Sequence, residues 1–477
     1  MQNYGILRLI LERESNGSYT FFSKYRKLMI KYYINSFFTE IGVFELNKSN
    51  FASTTMETVQ WFVFLLASSV AMPIVIGAIY QMDFIEVSGL MQRSFFAIGV
   101  ASLLQVLFGH KLPIMEGPAG IWISIFSVMA VTGLQNGNSL ADTLRSLETL
   151  MLLTGLFLFL FGFLKLAQKI LPVFTPLVTG TFFLLLTVQL SGTFLGGMLG
   201  LQGDSNTIQL TEAILAFITF FTILGLSTFA KGWLSSYAVF IGIVIGWVGY
   251  AIVIGTENHP GNVSWFSFPE LFAFGTPIFD ISLIPIAFFT AVIVISNTVA
   301  SIVAANQILG RQPKDSNTEI NKGTMFSGIS HGLAGGFAGI ANVPLATTSG
   351  FMALTGQKRR KPFVYATILL IIFTFFPPVI SLISSLPGPI ANAAIMASFV
   401  QLVGLAVKNL TSVKLDSRKI TILGVSYLIG MGIMFLPTEV FADLPMIVQN
   451  VMGNGLIVGT GLVIIIEQLW RTKNNVD

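Results

Sequence analysis

Long apolar blocks are the feature that most constrains the fold of this chain. Runs of about 20 apolar residues recur from Val59 onwards, and each is long enough to cross ~30 Å of hydrocarbon as a helix. Only 10% of the 477 residues are charged, whereas a soluble domain carries about 25%. The sequence therefore predicts a polytopic helical membrane protein. It argues against a soluble enzyme, a disordered chain and a membrane barrel, whose spans would alternate over roughly 10 residues.

Fourteen apolar segments follow a polar tail at residues 1–56, and residues 471–477 form a second short tail. The segments lie at 59–79, 92–109, 114–131, 149–168, 174–195, 209–229, 235–255, 282–306, 322–340, 342–357, 363–384, 389–407, 419–436 and 443–467. The first tail carries seven basic residues and no signal-peptide pattern, so we expect it to be cytoplasmic.

The distribution of basic residues supports this count. If both termini are cytoplasmic, 24 of the 26 Lys and Arg residues lie on the inner side, and only Arg93 and Arg145 lie outside. Many of the acidic residues, Glu148 among them, fall in the outer loops. One missed span would invert every later loop, so this asymmetry predicts fourteen spans with both termini inside. The basic run 358–361 has the same explanation, and so does the sequence pI of about 9.1, which therefore does not indicate nucleic-acid binding.

Two segments are poor helices, the third in each set of seven. Helix-breaking or polar residues interrupt them: Pro113, Gly117, Pro118 and Gly120 in the third segment, and Asn342, Pro344 and Gly350 in the tenth. Because seven is odd, the two halves must have opposite orientations, which predicts a 7+7 inverted repeat. Broken backbone at membrane depth survives only where it lines a cavity or is buried in protein, so its N–H and C=O groups are candidate substrate ligands.

Glu116 is the one acid that this pattern places inside a span and away from its ends. An ionisable residue within the membrane is a functional candidate by default, although Glu116 could equally be a structural partner for a backbone N–H or for Lys111. His331 is expected to be a histidine packed between helices. The glycines that follow it indicate close helix packing rather than a phosphate loop: Gly332, Gly335, Gly336 and Gly339.

Several kinds of chemistry are disfavoured by what the chain contains. It has no cysteine, and its three histidines are too scattered to suggest a metal cluster. The spans offer no nucleophile–base pair, so neither an enzyme nor a cofactor or metal is expected. The chain has no ATP-binding domain, so uphill transport would have to use an ion gradient.

Three stretches resemble the nucleobase-ascorbate transporter family, the xanthine and uracil permeases of the nucleobase:cation symporter-2 class. They are PIMEGPAGIWISIF at 113–126, VISNTVASIVAANQILG within 286–310, and GLAGGFAGIANVPLATTSGFMALTG at 332–356. In the last stretch, Gly350, Thr355 and Gly356 match the spacing of the family signature. The resemblance covers about residues 57–470.

The resemblance implies a two-part transporter. Its core would comprise 57–170 and 282–387, and its gate 171–281 and 388–470. Short antiparallel strands are implied within the broken segments three and ten. A flat base would bind between those strands and the middle of segment eight, and two copies would form a homodimer through the gate.

The resemblance also implies the substrate-binding residues. Asn297 stands at the position of the family's segment-eight acid, and Ser301 is the polar residue four positions later. Thr347 and Thr348 stand at the acid or Gln position and the following Asn of segment ten. Ser68 falls where a small residue packs against the base, and Gly120 of segment three completes the predicted set. An Asn carboxamide can read a base edge, although Asn297 could instead make a helix-to-helix hydrogen bond.

These observations predict a secondary transporter of a purine or pyrimidine base in the cell membrane, coupled to protons or another cation. Because Asn297 replaces the family's acid, Glu116 is the candidate proton-coupling residue. One alternative is a small-anion transporter on the same inverted-repeat fold, which would call for a basic residue near the broken segments. The other is a non-transporting, degenerate relative. We expect the lipid bilayer and the base as partners, and no nucleic acid.

Overall fold

The computed structural model describes residues 48–118, 120–135, 137–173, 175–201, 207–255, 264–311, 316–441, 444 and 452–470. The chain divides into two compact units, Met1–Met56 and Glu57–Asp477. Of the first unit, only the start of one helix lies within the described residues. The predictions for residues 1–47 and 471–477 concern parts of the chain outside those residues.

Helices make up most of the described first half. In chain order they are α1 (Lys48–Ser69), α2 (Ala71–Ile79), α3 (Phe84–Leu107), α4 (Gly120–Gln135), α5 (Leu140–Phe163), α6 (Ala167–Ile170), α7 (Pro176–Met198), α8 (Leu210–Phe229), α9 (Trp233–Ser236) and α10 (Ala238–Val253). A short strand, β1 (Glu116–Pro118), lies between α3 and α4.

The described second half is also mainly helical, with one short strand. Its helices are α11 (Leu283–Ile308), α12 (Ser316–Gly336), α13 (Thr347–Thr355), α14 (Arg360–Phe373), α15 (Pro377–Ser384), α16 (Gly388–Thr411), α17 (Ser417–Phe435) and α18 (Gly455–Leu469). A second strand, β2 (Asn342–Pro344), lies between α12 and α13. Among the described residues, eight helices are long and apolar enough to cross a membrane, or nine if α14 and α15 form one span. The helical membrane class is confirmed, and the count of fourteen spans stays a prediction.

Some helices begin before their apolar runs because capping residues set their ends. Helix α3 begins at Phe84, where the Asp83 side chain accepts from Glu86 N at 2.8 Å and the Glu86 side chain accepts from Asp83 N at 2.9 Å. Helix α5 begins at Leu140, after Ser139, whose side chain accepts from Asp142 N. Hydropathy predicts the apolar length of a span but not the polar capping residues that start the helix. The predicted starts at 92 and 149 are therefore later than the observed ones.

Two charged residues are therefore buried inside helices, Arg93 in α3 and Glu148 in α5. The sequence had placed both of them on the outer side of the membrane. Glu148 is fully buried in α5, so Glu116 is not the only acid within a span. Arg93 is buried in α3, where its Nε donates to Ala338 O at 3.2 Å. The guanidinium carbon of Arg93 lies 5.3 Å from the centre of the Phe274 ring. Both placements correct the prediction, since the helix ends are set by caps rather than by the apolar runs.

The two broken segments are joined by their strands. β1 and β2 pair in antiparallel register, with Glu116 opposite Pro344, Gly117 opposite Val343 and Pro118 opposite Asn342. A proline has no N–H and cannot continue a helix, so each segment takes an extended form whose polar groups need a partner. The strands predicted in segments three and ten are confirmed. We call β1 and β2 together the strand pair.

Helix packing follows the symmetry of an inverted repeat. Helix α5 packs on α12, and α3 packs on α14; α8 packs on α10, and α17 packs on α18; α7 packs on α18, and α16 packs on α10. In an inverted repeat, the helices α3, α5, α7, α8 and α10 of the first half correspond to α12, α14, α16, α17 and α18 of the second. Each contact named first above therefore has its counterpart in the contact named second.

The crossing of α5 and α12 brings two backbones together. A Cβ added at Gly162 would lie 2.3 Å from Met325 N, and one added at Gly328 would lie 2.4 Å from Phe159 N. Within the predicted glycine run, a Cβ at Gly335 would lie 3.0 Å from Glu148 O. Close packing is therefore confirmed at Gly335. The prediction is wrong at Gly332 and Gly336, where an added Cβ would meet no atom within 4 Å among the described residues.

The eleventh segment is not one straight helix. Helices α14 and α15 meet at an angle of 95°. Pro377 and Pro378 begin α15, and a proline disfavours helical conformation in the residue before it, which explains the bend at Phe376.

Candidate functional site

The strand pair is the point from which two short helices begin. β1 leads into α4 at Gly120 and β2 leads into α13 at Thr347. Because the strands are antiparallel, the two helices leave the pair in opposite directions. The first turn of a helix carries unpaired N–H groups and the positive end of the helix dipole. Both helix N-termini therefore provide hydrogen-bond donors at the strand pair.

Asn297 and Ser301, one turn apart on α11, reach the same backbone atom of β2. Asn297 Nδ2 donates to Pro344 O at 3.1 Å, and Ser301 Oγ donates to the same oxygen at 2.7 Å. The structure thus brings both predicted residues to the strand pair. Ser301 is fully buried, whereas Asn297 is only partly buried. Both side chains hold β2 against α11. The carboxamide oxygen of the partly exposed Asn297 is a further hydrogen-bond acceptor at this place.

The two threonines predicted in segment ten have different surroundings. Thr348 is buried, and its Oγ1 accepts a hydrogen bond from Met115 N at 3.3 Å. This bond ties α13 to the residue that precedes β1. Thr347 is exposed at the first position of α13. Thr348 therefore supports the strand pair, and contact of the exposed Thr347 with a ligand stays a prediction.

Gly120 lies where the broken segment meets two long helices. A Cβ added at this residue would lie 3.1 Å from Phe399 Cζ of α16 and 3.5 Å from Leu186 Cδ2 of α7. Any larger side chain would push against these helices. Ser68 is partly buried in the last turn of α1, immediately before the break that separates α1 from α2. The place of Ser68 in the site stays a prediction.

Glu116, at the start of β1, is fully buried. Its backbone N–H donates to Ser102 Oγ at 2.9 Å. Its carboxylate Oε1 lies 3.8 Å from His110 Nε2, and the structure records no hydrogen bond to either carboxylate oxygen among the described residues. The acid thus faces a histidine, and not Lys111, the partner considered in the sequence.

Comparisons with known proteins identify the family of this chain. The model for xanthine and uracil permeases, described as "Permease family", matches residues 52–439. This chain belongs to the permease family. The protein named "Putative purine permease YwdJ" from Bacillus subtilis (strain 168) is 31% identical over 424 residues, which cover 87% of this chain and 96% of YwdJ. A xanthine permease of the same organism is 23% identical over 430 residues, covering 89% of this chain and 95% of that protein.

A solved structure resembles this permease in fold. The transmembrane domain of the cyanobacterial bicarbonate transporter BicA aligns with a TM-score of 0.60 and 14% sequence identity, covering 88% of this chain and 98% of that one. At that identity the likeness concerns the fold alone. Together with the apolar helices, it establishes a multi-pass membrane protein, as the sequence predicted.

His331 of the permease is a packed histidine, as expected from the sequence. Its Nδ1 lies 2.8 Å from Ser327 O, and its Nε2 accepts from Trp122 Nε1 at 3.1 Å. A carbonyl oxygen only accepts, so the ring proton is on Nδ1. Both ring nitrogens are occupied within the protein, and the side chain is fully buried.

Sequence reasoning missed His110 as a member of the site. The sequence separates it from Glu116 by five residues, and only the turn after α3 brings the two side chains together. His110 lies between the second apolar segment and the proline-containing start of the third, broken segment, and this position could have identified it. From the sequence, His110 was considered only as a possible metal ligand.

Proposed function

We propose that this permease carries a nucleobase, a purine or a pyrimidine, across the cell membrane as a secondary transporter coupled to protons. The observation that carries the proposal is the convergence of Asn297 and Ser301 on Pro344 O, which sets a carboxamide at the end of β2, shortly before α13 begins at Thr347. The relatives named purine and xanthine permeases support the same substrate class.

A nucleobase suits the polar groups at this site. It is planar and usually neutral, and its edge alternates hydrogen-bond donors with acceptors. The Asn297 carboxamide and the Thr347 hydroxyl can each donate or accept, while helix N-termini offer N–H groups to ring carbonyls. A small-anion site would be expected to add a basic side chain to the helix N-termini, and the sequence has no Lys or Arg between Lys111 and Arg145 or between Lys322 and Lys358.

Uptake of labelled bases tests the proposal. Cells lacking their own permeases should take up at least one of uracil, xanthine, hypoxanthine, guanine and uric acid in a saturable way. Uptake equal to the empty-vector control for the whole panel, with the protein present in the membrane, would contradict it. Anion uptake into proteoliposomes would then test the small-anion alternative.

Asn297→Ala should weaken binding of the transported base. The variant would lose one or two hydrogen bonds in a dry site, each at about 1–3 kcal/mol, so the apparent affinity should fall roughly tenfold or more. Competition by unlabelled base measures this affinity. Ser301→Ala is the matched control, because it removes the other donor to Pro344 O but leaves the carboxamide in place. An unchanged affinity in Asn297→Ala at normal abundance would contradict the assignment.

We also propose that the helices divide into a core, 57–170 and 282–387, and a gate, 171–281 and 388–470. Packing supports this division, since α3, α5, α11, α12 and α14 contact one another, as do α7, α8, α10, α16, α17 and α18. The strand pair belongs to the core and meets the gate at Gly120. In this proposal the core carries the base past the gate helices. A homodimer through the gate stays a prediction.

A further part of the proposal is that both termini and the 358–361 loop are cytoplasmic. Lys358 and Phe268 are exposed and lie on opposite sides in this topology. The chain has no native cysteine, so single cysteines report cleanly. An impermeant maleimide added outside should label Phe268→Cys and spare Lys358→Cys. Labelling of Lys358→Cys in intact cells would overturn the orientation.

A further inference from the structure

A buried histidine–carboxylate pair lies at the entry to β1. His110 Nε2 is 3.8 Å from Glu116 Oε1, and both side chains are fully buried. Among the described residues, the structure records no hydrogen bond for Nε2 or for either carboxylate oxygen. Two polar groups with unused hydrogen-bonding capacity thus face each other where water is excluded. We call His110 and Glu116 the buried pair.

The turn after α3 fixes which nitrogen of His110 carries the proton. Leu112 N donates to His110 Nδ1 at 3.0 Å. A backbone N–H only donates, so Nδ1 is an acceptor and the proton of the neutral ring is on Nε2. The imidazole therefore presents an N–H to the Glu116 carboxylate. His331 has the opposite tautomer, with its proton on Nδ1.

Neighbouring elements hold the ring in this orientation. Gln105 Oε1 accepts from His110 N at 3.4 Å, and Gln105 Nε2 donates to Gly323 O at 2.9 Å. The backbone of Lys111 donates to Gln105 O at 3.0 Å. These bonds connect the turn to α3 and α12.

The groups around the buried pair favour the neutral form of the His110 imidazole. From α3 they are Ser102 and Gln105, and from α12 the backbone at Gly323 lies beside the His110 side chain. The charge comes from α14, where Arg360 acts electrostatically on His110 and donates to Val106 O. The neighbouring Lys111 is exposed. A nearby guanidinium disfavours a second positive charge on the imidazole.

We propose that His110 is a positioning residue which, as a neutral N–H donor, stabilises the ionised form of Glu116 and so sets the pH at which the permease exchanges its coupling proton. This inference rests on the proposed proton coupling. When a proton from the aqueous side binds a carboxylate oxygen, the N–H faces a neutral acid and the stabilisation is largely lost. When that proton leaves Glu116, the Nε2–H dipole again faces an ionised carboxylate. His110 keeps its own proton throughout and is not a relay.

The pH profile of base uptake tests the role of His110. His110→Ala removes the donor, so Glu116 should hold its proton to higher pH. The midpoint of pH-dependent uptake by proteoliposomes should rise by about one pH unit, because the N–H dipole that favours the ionised carboxylate is removed. His110→Gln, which can again offer an N–H, should return the midpoint towards the unmutated value. In a Glu116→Gln background, His110→Ala should add no shift. An unmoved midpoint in His110→Ala, with uptake still pH-dependent, would overturn the inference and leave the proposed function standing.

An infrared titration tests the buried pair independently of transport. The Glu116 carboxyl band, assigned by its loss in Glu116→Gln, should titrate at higher pH in His110→Ala than in the unmutated protein. This readout applies even if base uptake proves independent of pH, a result that would defeat the proposed coupling alone. Equal titration in the two proteins would overturn the role of His110.

The tautomer can be measured without any substitution at the site. Nitrogen solid-state NMR of the full chain, which has three histidines, should show Nε2–H for His110 and Nδ1–H for His331. Single His→Gln variants assign the signals. A proton on Nδ1 of neutral His110 would overturn the proposal, even if His110→Ala fails to fold.

Discussion

Glu116→Gln should abolish pH-driven accumulation of the base and preserve exchange of the base across the membrane. Gln is a permanent, uncharged analogue of the protonated acid. Glu116 is fully buried beside β1, and an uncompensated charge at such a position is strongly disfavoured. The neutral side chain would let the core move with or without a proton, so the concentration ratio at steady state should fall to about one. Proteoliposomes with an imposed pH gradient measure accumulation, and counterflow of labelled base measures exchange.

Glu148→Gln is the matched control for this experiment. Glu148 is also a fully buried acid in a helix, but it lies on α5, where its backbone oxygen is near Gly335. Its substitution should leave the accumulation ratio unchanged. If Glu116→Gln still concentrated the base with the same pH dependence, the coupling site would lie elsewhere. A loss of coupling in Glu148→Gln alone would place it on α5.

Gly328→Ala should remove most of the stability that the crossing of α5 and α12 supplies. The added methyl group would lie 2.4 Å from Phe159 N, 2.5 Å from Gly155 O and 2.8 Å from Phe159 Cα. All three are backbone atoms, so no side-chain rotation can relieve the overlap and the helices must separate. Overpacking of this kind costs about 1–3 kcal/mol or more, a large share of the roughly 5–15 kcal/mol that stabilises a typical domain. Thermal unfolding followed by size-exclusion fluorescence should show a clear fall in the midpoint.

Gly332→Ala, one turn further along the same helix, separates crowding from helix propensity. A Cβ at Gly332 meets no atom within 4 Å among the described residues. The substitution should therefore be neutral or stabilising, since Ala favours helix over Gly by roughly 1 kcal/mol. Equal unfolding midpoints for the two variants would show that the crossing is looser than these distances indicate.

Apolar length and proline placement made the architecture predictable. Most of the long apolar runs became helices, because backbone groups in hydrocarbon must be paired within the segment. Pro118 and Pro344 remove an N–H from each broken segment, and the two segments pair with each other instead. Helix ends were less predictable, because Asp83 and Ser139 cap helices that start in polar sequence. That is why Glu148 was expected in a loop.

The sequence predicted which polar residues reach the strand pair better than it predicted which groups they contact there. Asn297, Ser301 and Thr348 all lie at the strand pair. Each of these side chains already makes a hydrogen bond with a backbone atom of a broken segment. Spacing along the chain shows that these residues can come together, and it does not show which atoms are already paired. His110 was not predicted as a member of the site for a related reason. Its side chain lies close to Glu116 only because the chain turns back after α3.

The pairing of β1 with β2 also constrains how the protein is made. β1 (Glu116–Pro118) pairs with β2 (Asn342–Pro344), which the ribosome synthesises roughly half a chain later. Until then, a bare strand in lipid would leave polar groups unpaired at several kcal/mol each. The third segment must therefore wait beside the translocon or at the water interface until the tenth segment emerges. Insertion of this chain cannot be strictly sequential, and a nascent chain arrested before Asn342 should leave the Glu116 segment open to proteases.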